Sequence, residues 1–298
     1  MAYDKATQQV ILFGDRQASR TPETWAWTSA AGWKRVSPAT SPPGRTWGNM
    51  AYDDATGEVV LFGGQSATPG AGGALSPLTD TWTWDGTNWT RRTPAQSPRA
   101  VVFMEMAYDA ATHSLVGVYD NASAAGSEET WQWTGTTWAP LQAGLRPKYP
   151  KQQGGLAYSS ATSELVMFGT AFGIGVPAPD ATTWTYSASL WTPHPGSATT
   201  PRARSAPAMS ADKAGGVLLF GGAGSGGTAF GDTWTYHQNV WHKLSASPAP
   251  HARSGATMAF DSNCGLVLLY GGEVSTQTSA AYYKDTWAWN GQAWTKVG

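Results

Sequence analysis

Four basic residues stand at one fixed place in a pattern that repeats along the chain, which suits them to bind an anion. Each lies five residues before the apolar residue that opens a copy of the pattern: Arg45, Lys151, Arg204 and Arg253. An acidic residue precedes the third predicted strand in most copies: Glu23, Asp80, Glu129, Asp232 and Asp285. Because strands one and three of a blade are about 10 Å apart, an arginine can reach such a partner, and the pattern predicts either an anion site or a set of ion pairs, with pairing preferred.

Carboxylates at three irregular positions are candidates for acid or base chemistry or for ligand contacts. Glu105 stands directly before an opening residue, where other copies carry Asn49, Gly155, Ala208 and Thr257. A desolvated carboxylate there would have a raised pKa and could transfer protons, whereas the alternative is an ion pair with Lys151 or another rim cation. Asp15 and Asp120 replace the second glycine of a recurring Gly-Gly doublet, and their alternative role is to cap loop amides.

Two copies break the charge pattern. The fourth has Lys151 but Thr182 in place of the acid, and the third has Glu129 but Val101 in place of the cation. A ligand without sixfold symmetry requires some copies to differ, so these departures mark a candidate site. The predicted catalytic residues are Glu105 and Asp120. The predicted ligand-binding residues are Arg45, Trp47, Tyr149, Lys151, Arg204, His251, Arg253 and Asp15.

These residues are positioned by six copies of one unit, whose opening residues recur at an average spacing of about 51 residues. The opening residues are Met1, Met50, Met106, Leu156, Met209 and Met258. Each copy continues with a short turn, an apolar run such as Val59 to Phe62, a longer loop, an aromatic pair such as Trp82 and Trp84, and a final Trp. The run predicts a strand buried on both faces, and the short turns predict hairpins.

A unit of this length cannot bury its apolar face alone and has to stack against its own copies. The sequence therefore predicts one all-β domain over residues 1–298, a six-bladed propeller with four antiparallel strands per blade. The repeats are expected at approximately 1–44, 45–98, 99–150, 151–202, 203–252 and 253–298. Alternating strands place the long loops and the links between copies on one face, at the mouth of the expected channel. Sixteen of the seventeen Trp residues fit this pattern as core, and Trp47 alone does not.

The pattern resembles the Kelch repeat, which is marked by an apolar strand ending in Gly-Gly and by a later aromatic residue followed by Trp. Full doublets stand at Gly63-Gly64, Gly221-Gly222 and Gly271-Gly272, and matching aromatic pairs at Trp84/Trp89, Tyr186/Trp191, Tyr236/Trp241 and Trp289/Trp294. The third copy has Tyr119-Asp120 instead of the doublet. The resemblance implies a bacterial Kelch or galactose-oxidase-like propeller, a group that includes protein-binding modules, sugar-processing enzymes and oxidases. The copper-radical oxidases are discounted because Cys264 lies in a hairpin turn on the wrong face.

Composition narrows the range of partners. A net charge of −1 with 13% charged residues provides no electrostatic footprint for nucleic acid. One cysteine and five scattered histidines give no disulfide and no metal-ligand spacing, so neither a metal nor a cofactor is expected. No apolar run reaches membrane-spanning length, and a monomer is expected. The low charge and the abundant Gly, Ser, Thr and Ala favour a secreted bacterial protein, although they fix no cellular address.

Two functions are compatible with these observations, besides a purely structural role. The first is a binding module whose loop-rich face and channel mouth hold a carbohydrate, a peptide or partner protein, or a small anionic ligand. The second is a small-molecule enzyme of the isomerase, lyase or cyclase type, in which Glu105 or Asp120 transfers protons and Arg204 or Arg253 holds an anionic group.

Overall fold

The chain is all-β, and its strands form six four-stranded antiparallel sheets in which consecutive main strands are neighbours. The computed structural model describes residues 1–15, 21–68, 75–120, 128–142, 147, 154–169, 181–275 and 280–298. The helix within these ranges is a single 3₁₀ turn, Ser225–Gly227. Each sheet corresponds to one predicted repeat and is called a blade, numbered in chain order.

The strands group into two compact units, and the first is built on blades 1 to 3. Blade 1 consists of β1 (Ala2–Asp4), β2 (Gln9–Asp15), β3 (Pro22–Thr28) and β4 (Gly32–Val36). The next segment adds β5 (Arg45–Thr46), β6 (Asn49–Asp53), β7 (Glu58–Phe62), β8 (Gln65–Ser66), β9 (Thr81–Trp84) and β10 (Trp89–Arg92). Blade 2 consists of β6, β7, β9 and β10, while β5 pairs with β8. Blade 3 consists of β11 (Glu105–Asp109), β12 (Ser114–Asp120), β13 (Glu128–Trp133) and β14 (Trp138–Leu141).

The second unit is built on blades 4 to 6. Blade 4 consists of β15 (Gly155–Ser159), β16 (Glu164–Phe168), β17 (Thr183–Ser187) and β18 (Leu190–His194). Blade 5 consists of β19 (Ala208–Ala211), β20 (Val217–Phe220), β21 (Thr233–His237) and β22 (Val240–Leu244). The last segment adds β23 (Thr257–Asp261), β24 (Leu266–Tyr270), β25 (Glu273–Ser275), β26 (Ala280–Tyr282), β27 (Thr286–Trp289) and β28 (Trp294–Lys296). Blade 6 consists of β23, β24, β27 and β28, and β25 pairs with β26.

The repeated aromatic residues join neighbouring blades within each unit. In blade 2, the rings of Trp84 and Trp89 lie 5.4 Å apart, and both side chains are 1% exposed. The indole N–H of Trp89 donates a 2.9 Å hydrogen bond to the Thr24 hydroxyl of blade 1. The same bond joins Trp138 to Thr81, Trp241 to Thr183 and Trp294 to Thr233. The predicted role of these Trp residues as core is confirmed. We call each of these four contacts between neighbouring blades a Trp–Thr joint, and each adds one directional hydrogen bond to the apolar packing.

The Gly-Gly doublets end the second strand because both glycines have left-handed backbones. In blade 2, Gly63 has φ of 65° and Gly64 has φ of 92°. A Cβ on Gly64 would lie 2.7 Å from the carbonyl oxygen of Thr46 and 2.7 Å from the amide nitrogen of Gly48, so only glycine allows this approach. In blades 1 and 3, which lack the full doublet, β2 and β12 continue to seven residues each.

The outermost strand of each blade is a sheet edge, and its sequence discourages pairing with another chain. Proline interrupts the edge strand in blade 3 (Pro140) and in blade 4 (Pro193). The edge strands of the other blades carry charged side chains: Lys34 and Arg35 in blade 1, Arg91 and Arg92 in blade 2, Lys243 in blade 5 and Lys296 in blade 6. Proline removes a ladder donor, and a charge is costly to bury in a sheet contact.

Candidate functional site

The repeated arginines are held in buried ion pairs. In blade 2, Arg45 Nη1 and Nη2 donate to Asp80 Oδ1 and Oδ2 over 2.7 and 2.8 Å, and Nη1 also donates to the Gly63 carbonyl. The Arg45 side chain is 1% exposed. Burial alone would raise the pKa of Asp80, but the bonds and charge of Arg45, with the indole N–H of Trp82, hold that pKa below its usual range. The guanidinium is therefore occupied by protein partners.

Blades 5 and 6 repeat this arrangement. Arg204 binds Asp232, and Arg253 binds Asp285, each with a shortest contact of 2.6 Å and with an arginine side chain that is 0% exposed. Although burial opposes the shift, the bonds from Arg253 and from the Trp287 indole, with the arginine charge, lower the pKa of Asp285 to about 2. The predicted ion pairing is confirmed for three blades. The ligand-binding role predicted for Arg45, Arg204 and Arg253 would require these pairs to open.

In blade 3 the buried arginine is missing, and the acid Glu129 binds a tyrosine, while the exposed Arg99 lies 4.0 Å from it. The Tyr119 hydroxyl donates a 2.6 Å hydrogen bond to Glu129 Oε2, which also accepts the Trp131 indole N–H at 2.9 Å. Burial, and then the bond to Glu129 and its charge, raise the pKa of Tyr119. Sequence reasoning noted Val101 in place of the cation but missed this substitute. The signal was the tyrosine in the doublet position of the same repeat.

A second exchange in blade 3 reverses the sizes of two packed side chains. In blade 2, Gly48 lies against Leu61, since a Cβ on Gly48 would be 3.2 Å from Leu61 Cδ1. At the corresponding positions, blade 3 carries Met104 and Gly117, and a Cβ on Gly117 would be 1.9 Å from Met104 Cε. Met104 is 2% exposed, so it fills the space that the leucine side chain occupies in blade 2. The departures of blade 3 are therefore coordinated.

Glu105 begins β11 and has a strongly perturbed carboxyl group. Asn49, at the corresponding place on blade 2, donates from Nδ2 to Glu105 Oε2 over 3.1 Å. Burial raises the pKa of Glu105 to about 8, and the Asn49 hydrogen bond opposes this shift only in part. This environment favours the protonated form of Glu105 at neutral pH. The predicted alternative, an ion pair with Lys151, stays a prediction because Lys151 lies outside the described residues.

A partly exposed aromatic pair lies two residues before these polar groups on the same two segments. The rings of Trp47 and Phe103 have centroids 5.2 Å apart and an interplanar angle of 50°. Trp47 is 48% exposed and has φ of 58°, a left-handed conformation that is rare for a bulky residue. Sequence analysis singled out Trp47 and Glu105 but missed Phe103 and Asn49. These four residues form the candidate site, which lies within the first unit.

The segment carrying Trp47 is fixed on both sides. Before it, Arg45 is anchored in its ion pair, and Thr46 pairs with Gln65. After it, Gly48 packs closely on the Arg45 side chain and on the backbone at Gly64. Trp47 therefore sits between held neighbours, which is how the chain can maintain its unfavourable φ.

Replacing Gly64 with alanine should destabilise the protein by about 2 kcal/mol or more and displace Trp47, because the added Cβ meets backbone atoms at a φ of 92°. Urea unfolding and the intrinsic fluorescence spectrum measure the two effects. Gly14→Ala in blade 1 is the control, because its Cβ would have no atom within 4 Å. Equal stability of the two variants would contradict the close approach described here.

The other predicted site residues either lie away from the candidate site or fall outside the described residues. His251 is exposed, and its ring stacks on Tyr283 at 6.2 Å with an interplanar angle of 13°. Arg253 also contacts this ring, with its Cζ 4.0 Å from the Tyr283 ring centroid. Asp15 and Asp120 end β2 and β12, and their side chains lie outside the described part of the structure. Tyr149 and Lys151 are outside the described residues altogether.

Other features of the described residues do not coincide with the candidate site. A cleft of about 470 Å³ on blade 5 is lined by Asp232, Thr233, Lys243 and Ser245, among others. Its acid already binds Arg204. Within the described ranges, no three His, Cys, Asp or Glu side chains converge as metal ligands. Nor does that part of the chain contain a helix with the length and apolar character needed to cross a bilayer.

The blades define a protein of the β-propeller class, with six blades of four antiparallel strands. Among solved structures, this chain is similar to that of YjhT, with a TM-score of 0.70 and 14% identity over 100% of this chain and 96% of the other. At that identity the likeness shows the fold alone. No protein-family profile matches the chain, and no curated protein matches it in sequence.

Proposed function

We propose that this propeller is a carbohydrate-binding module whose site is the Trp47–Phe103 ring pair with Asn49 and Glu105. The observation that carries the proposal is the half-exposed Trp47 side chain, held in a left-handed backbone conformation beside Phe103. An exposed aromatic face next to amide and carboxyl groups suits a sugar ring, which offers C–H bonds on its faces and hydroxyl groups at its edge.

The backbone conformation of Trp47 argues for selection of its side chain. The corresponding residues of blades 5 and 6 are Ala206 and Gly255, which have φ of 48° and 65°. The left-handed conformation thus recurs at this position in blades 2, 5 and 6, and glycine adopts it at least cost. A tryptophan there bears a backbone cost of roughly 1–3 kcal/mol and leaves an apolar ring in water. Binding of a ligand by that ring supplies a reason for both costs.

The charges near the site favour a neutral ligand over an anionic one. The neighbouring cation, Arg45, is already bound to Asp80, and the hydrogen-bond partner of Glu105 is the uncharged Asn49. Anion binding by Lys151 and Tyr149 stays a prediction from sequence.

We also assign the propeller to the Kelch type as part of this proposal. The support is the pair of left-handed glycines that ends the second strand in blades 2, 5 and 6, together with the tilted aromatic–Trp pairs of the third and fourth strands. This assignment is compatible with binding modules and with enzymes alike.

Replacing Trp47 with alanine should abolish most carbohydrate binding while leaving the fold intact, because Ala206 occupies the same conformation in blade 5. Saturation-transfer NMR would be used with the methyl glycosides of glucose, galactose, mannose and N-acetylglucosamine. We expect an affinity loss of about tenfold or more, or ~1.4 kcal/mol. Tyr282→Ala is the control, since Tyr282 is a 55% exposed aromatic residue in β26, in the second unit. Binding of none of these sugars by the wild type, or equal binding by Trp47→Ala, would refute the proposal.

A second candidate function is proton transfer on a bound small molecule, as in an isomerase, lyase or cyclase. The observation favouring it is Glu105, whose pKa of about 8 suits an acid or base near neutral pH. The test is deuterium incorporation into, or conversion of, a bound sugar in D₂O. Glu105→Gln should stop that reaction without preventing binding, whereas a wild type that leaves every bound sugar unchanged would exclude the enzyme for those sugars.

A further inference from the structure

The hydrogen bond between Asn49 and Glu105 leaves two polar atoms available for a ligand. Asn49 donates through Nδ2 to Glu105 Oε2, so its own acceptor, Oδ1, is not used in this bond. Glu105 Oε2 is the accepting oxygen, which leaves Oε1 as the oxygen that can carry the proton. Both residues are partly exposed, and they stand two residues after Trp47 and Phe103 on the same segments.

The environment of Glu105 favours its neutral form. Burial raises the pKa of Glu105 to about 8, and the Asn49 amide is the hydrogen-bonding group that acts on it. Among the described residues, no charged side chain contributes to the shift of this pKa. At neutral pH the pair therefore presents one O–H donor, at Glu105 Oε1, and one amide acceptor, at Asn49 Oδ1.

We propose that Asn49 and Glu105 make the site specific for an uncharged sugar with two adjacent free ring hydroxyl groups. One hydroxyl oxygen accepts a hydrogen bond from the Glu105 carboxyl, and the neighbouring hydroxyl donates to Asn49 Oδ1. This inference rests on the proposed carbohydrate-binding function and adds which sugars are accepted. A sugar lacking either hydroxyl leaves a half-buried polar group without a partner, and polar sites discriminate strongly against such analogues.

The repeat supplies matched variants for this pair. The position of Glu105 is occupied by Ala208 in blade 5 and by Thr257 in blade 6, both at the start of the first strand of the blade. Glu105→Ala therefore installs a residue that this backbone position already carries. Glu105→Gln keeps the shape and retains a donor but cannot ionise. Asn49→Ala removes the acceptor.

The experiment measures the affinity of the tightest-binding methyl glycoside and of its monodeoxy analogues, for the wild type and for each variant. In the wild type, removal of either adjacent hydroxyl should weaken binding by about tenfold. In Glu105→Ala, the penalty for the hydroxyl that contacts Glu105 should disappear, and in Asn49→Ala the other penalty should disappear. Near-ultraviolet circular dichroism and thermal melting would verify that each variant is folded.

Titration with pH tests the donor role directly. Wild-type affinity should fall as the pH rises through about 8, because ionised Glu105 can no longer donate. Glu105→Gln should show no such fall, because its amide group donates at every pH. Affinity that rises above pH 8, a fall of the same size in Glu105→Gln, or deoxy penalties unchanged by the variants would overturn the inference. If Trp47→Ala abolishes binding while the Glu105 and Asn49 variants change nothing, the proposed function stands and this specificity does not. If no glycoside binds, both fail.

Discussion

Replacing Met104 with glycine should destabilise the protein by about 2–5 kcal/mol, and adding Gly117→Leu should restore most of that loss. Met104 is 2% exposed and lies where a side chain at Gly117 would be, so the two positions share one volume. Alone, Gly117→Leu overpacks the blade and should cost about 1–3 kcal/mol. The double variant reproduces the arrangement of Gly48 and Leu61 in blade 2. Its loss of stability should be much smaller than the sum of the losses in the two single variants.

Urea unfolding of the four proteins in this cycle measures the coupling. Gly14→Ala combined with Met104→Gly is the control, because Gly14 has open space and is expected to rescue nothing. Additive effects of Met104→Gly and Gly117→Leu would mean that blade 3 does not fill its core by the exchange described here.

Replacing Asp232 with alanine should cost about 3–5 kcal/mol, because it leaves the buried charge of Arg204 without its carboxylate partner. The Arg204 side chain is 0% exposed, and its Cζ lies 4.5 Å from the Phe230 ring centroid, so water cannot easily replace the carboxylate. Glu23→Ala is the control, since Glu23 also accepts an indole N–H, from Trp25, but the arginine beside it, Arg35, is 54% exposed and 3.6 Å away. That pair should be worth at most about 1 kcal/mol. Similar losses in the two variants would contradict the buried character of the Arg204 pair.

The same acids give stability a defined dependence on pH. The paired aspartates have lower pKa values in the folded protein than in the unfolded chain: Asp80, Asp232 and Asp285. Their contribution is therefore complete above the unfolded value of about 4 and is lost as the pH falls through the folded value, about 2 for Asp285. The melting temperature of Asp232→Ala should therefore fall less steeply with decreasing pH below about 4 than that of the wild type. A pH series of thermal melts would measure this difference.

The strands could be predicted from sequence because local signals repeat six times. The apolar run at Val59, the glycine doublet after it and the paired Trp residues each report their own short segment, and the copies reinforce one another. The partners of the arginines could not be decided in this way. Arg45 and Asp80 stand 35 residues apart, and spacing allowed either a ligand or an ion pair.

For a related reason, the sequence indicated only two of the four residues of the candidate site. Trp47 stood out because it broke the pattern, but Phe103 and Asn49 are residues of ordinary type whose meaning depends on their neighbours in the adjacent blade. The replacement of the arginine by Tyr119 was not apparent, because Tyr119 stands at the glycine-doublet position of the repeat and not at the position of the missing arginine. Comparing all copies for paired changes, instead of position by position, would have suggested it.

The recurring bond from Trp to Thr has a consequence for how this protein can change over evolutionary time. Each joint that we describe within a unit uses the same donor and the same acceptor, as with Trp138 and Thr81, or Trp294 and Thr233. A standard joint makes neighbouring modules interchangeable, so one copy can be duplicated or can accumulate substitutions without its neighbours having to adapt. Blade 3 illustrates this freedom: it has exchanged its arginine, its doublet and its core residues while keeping the Trp138 joint unaltered.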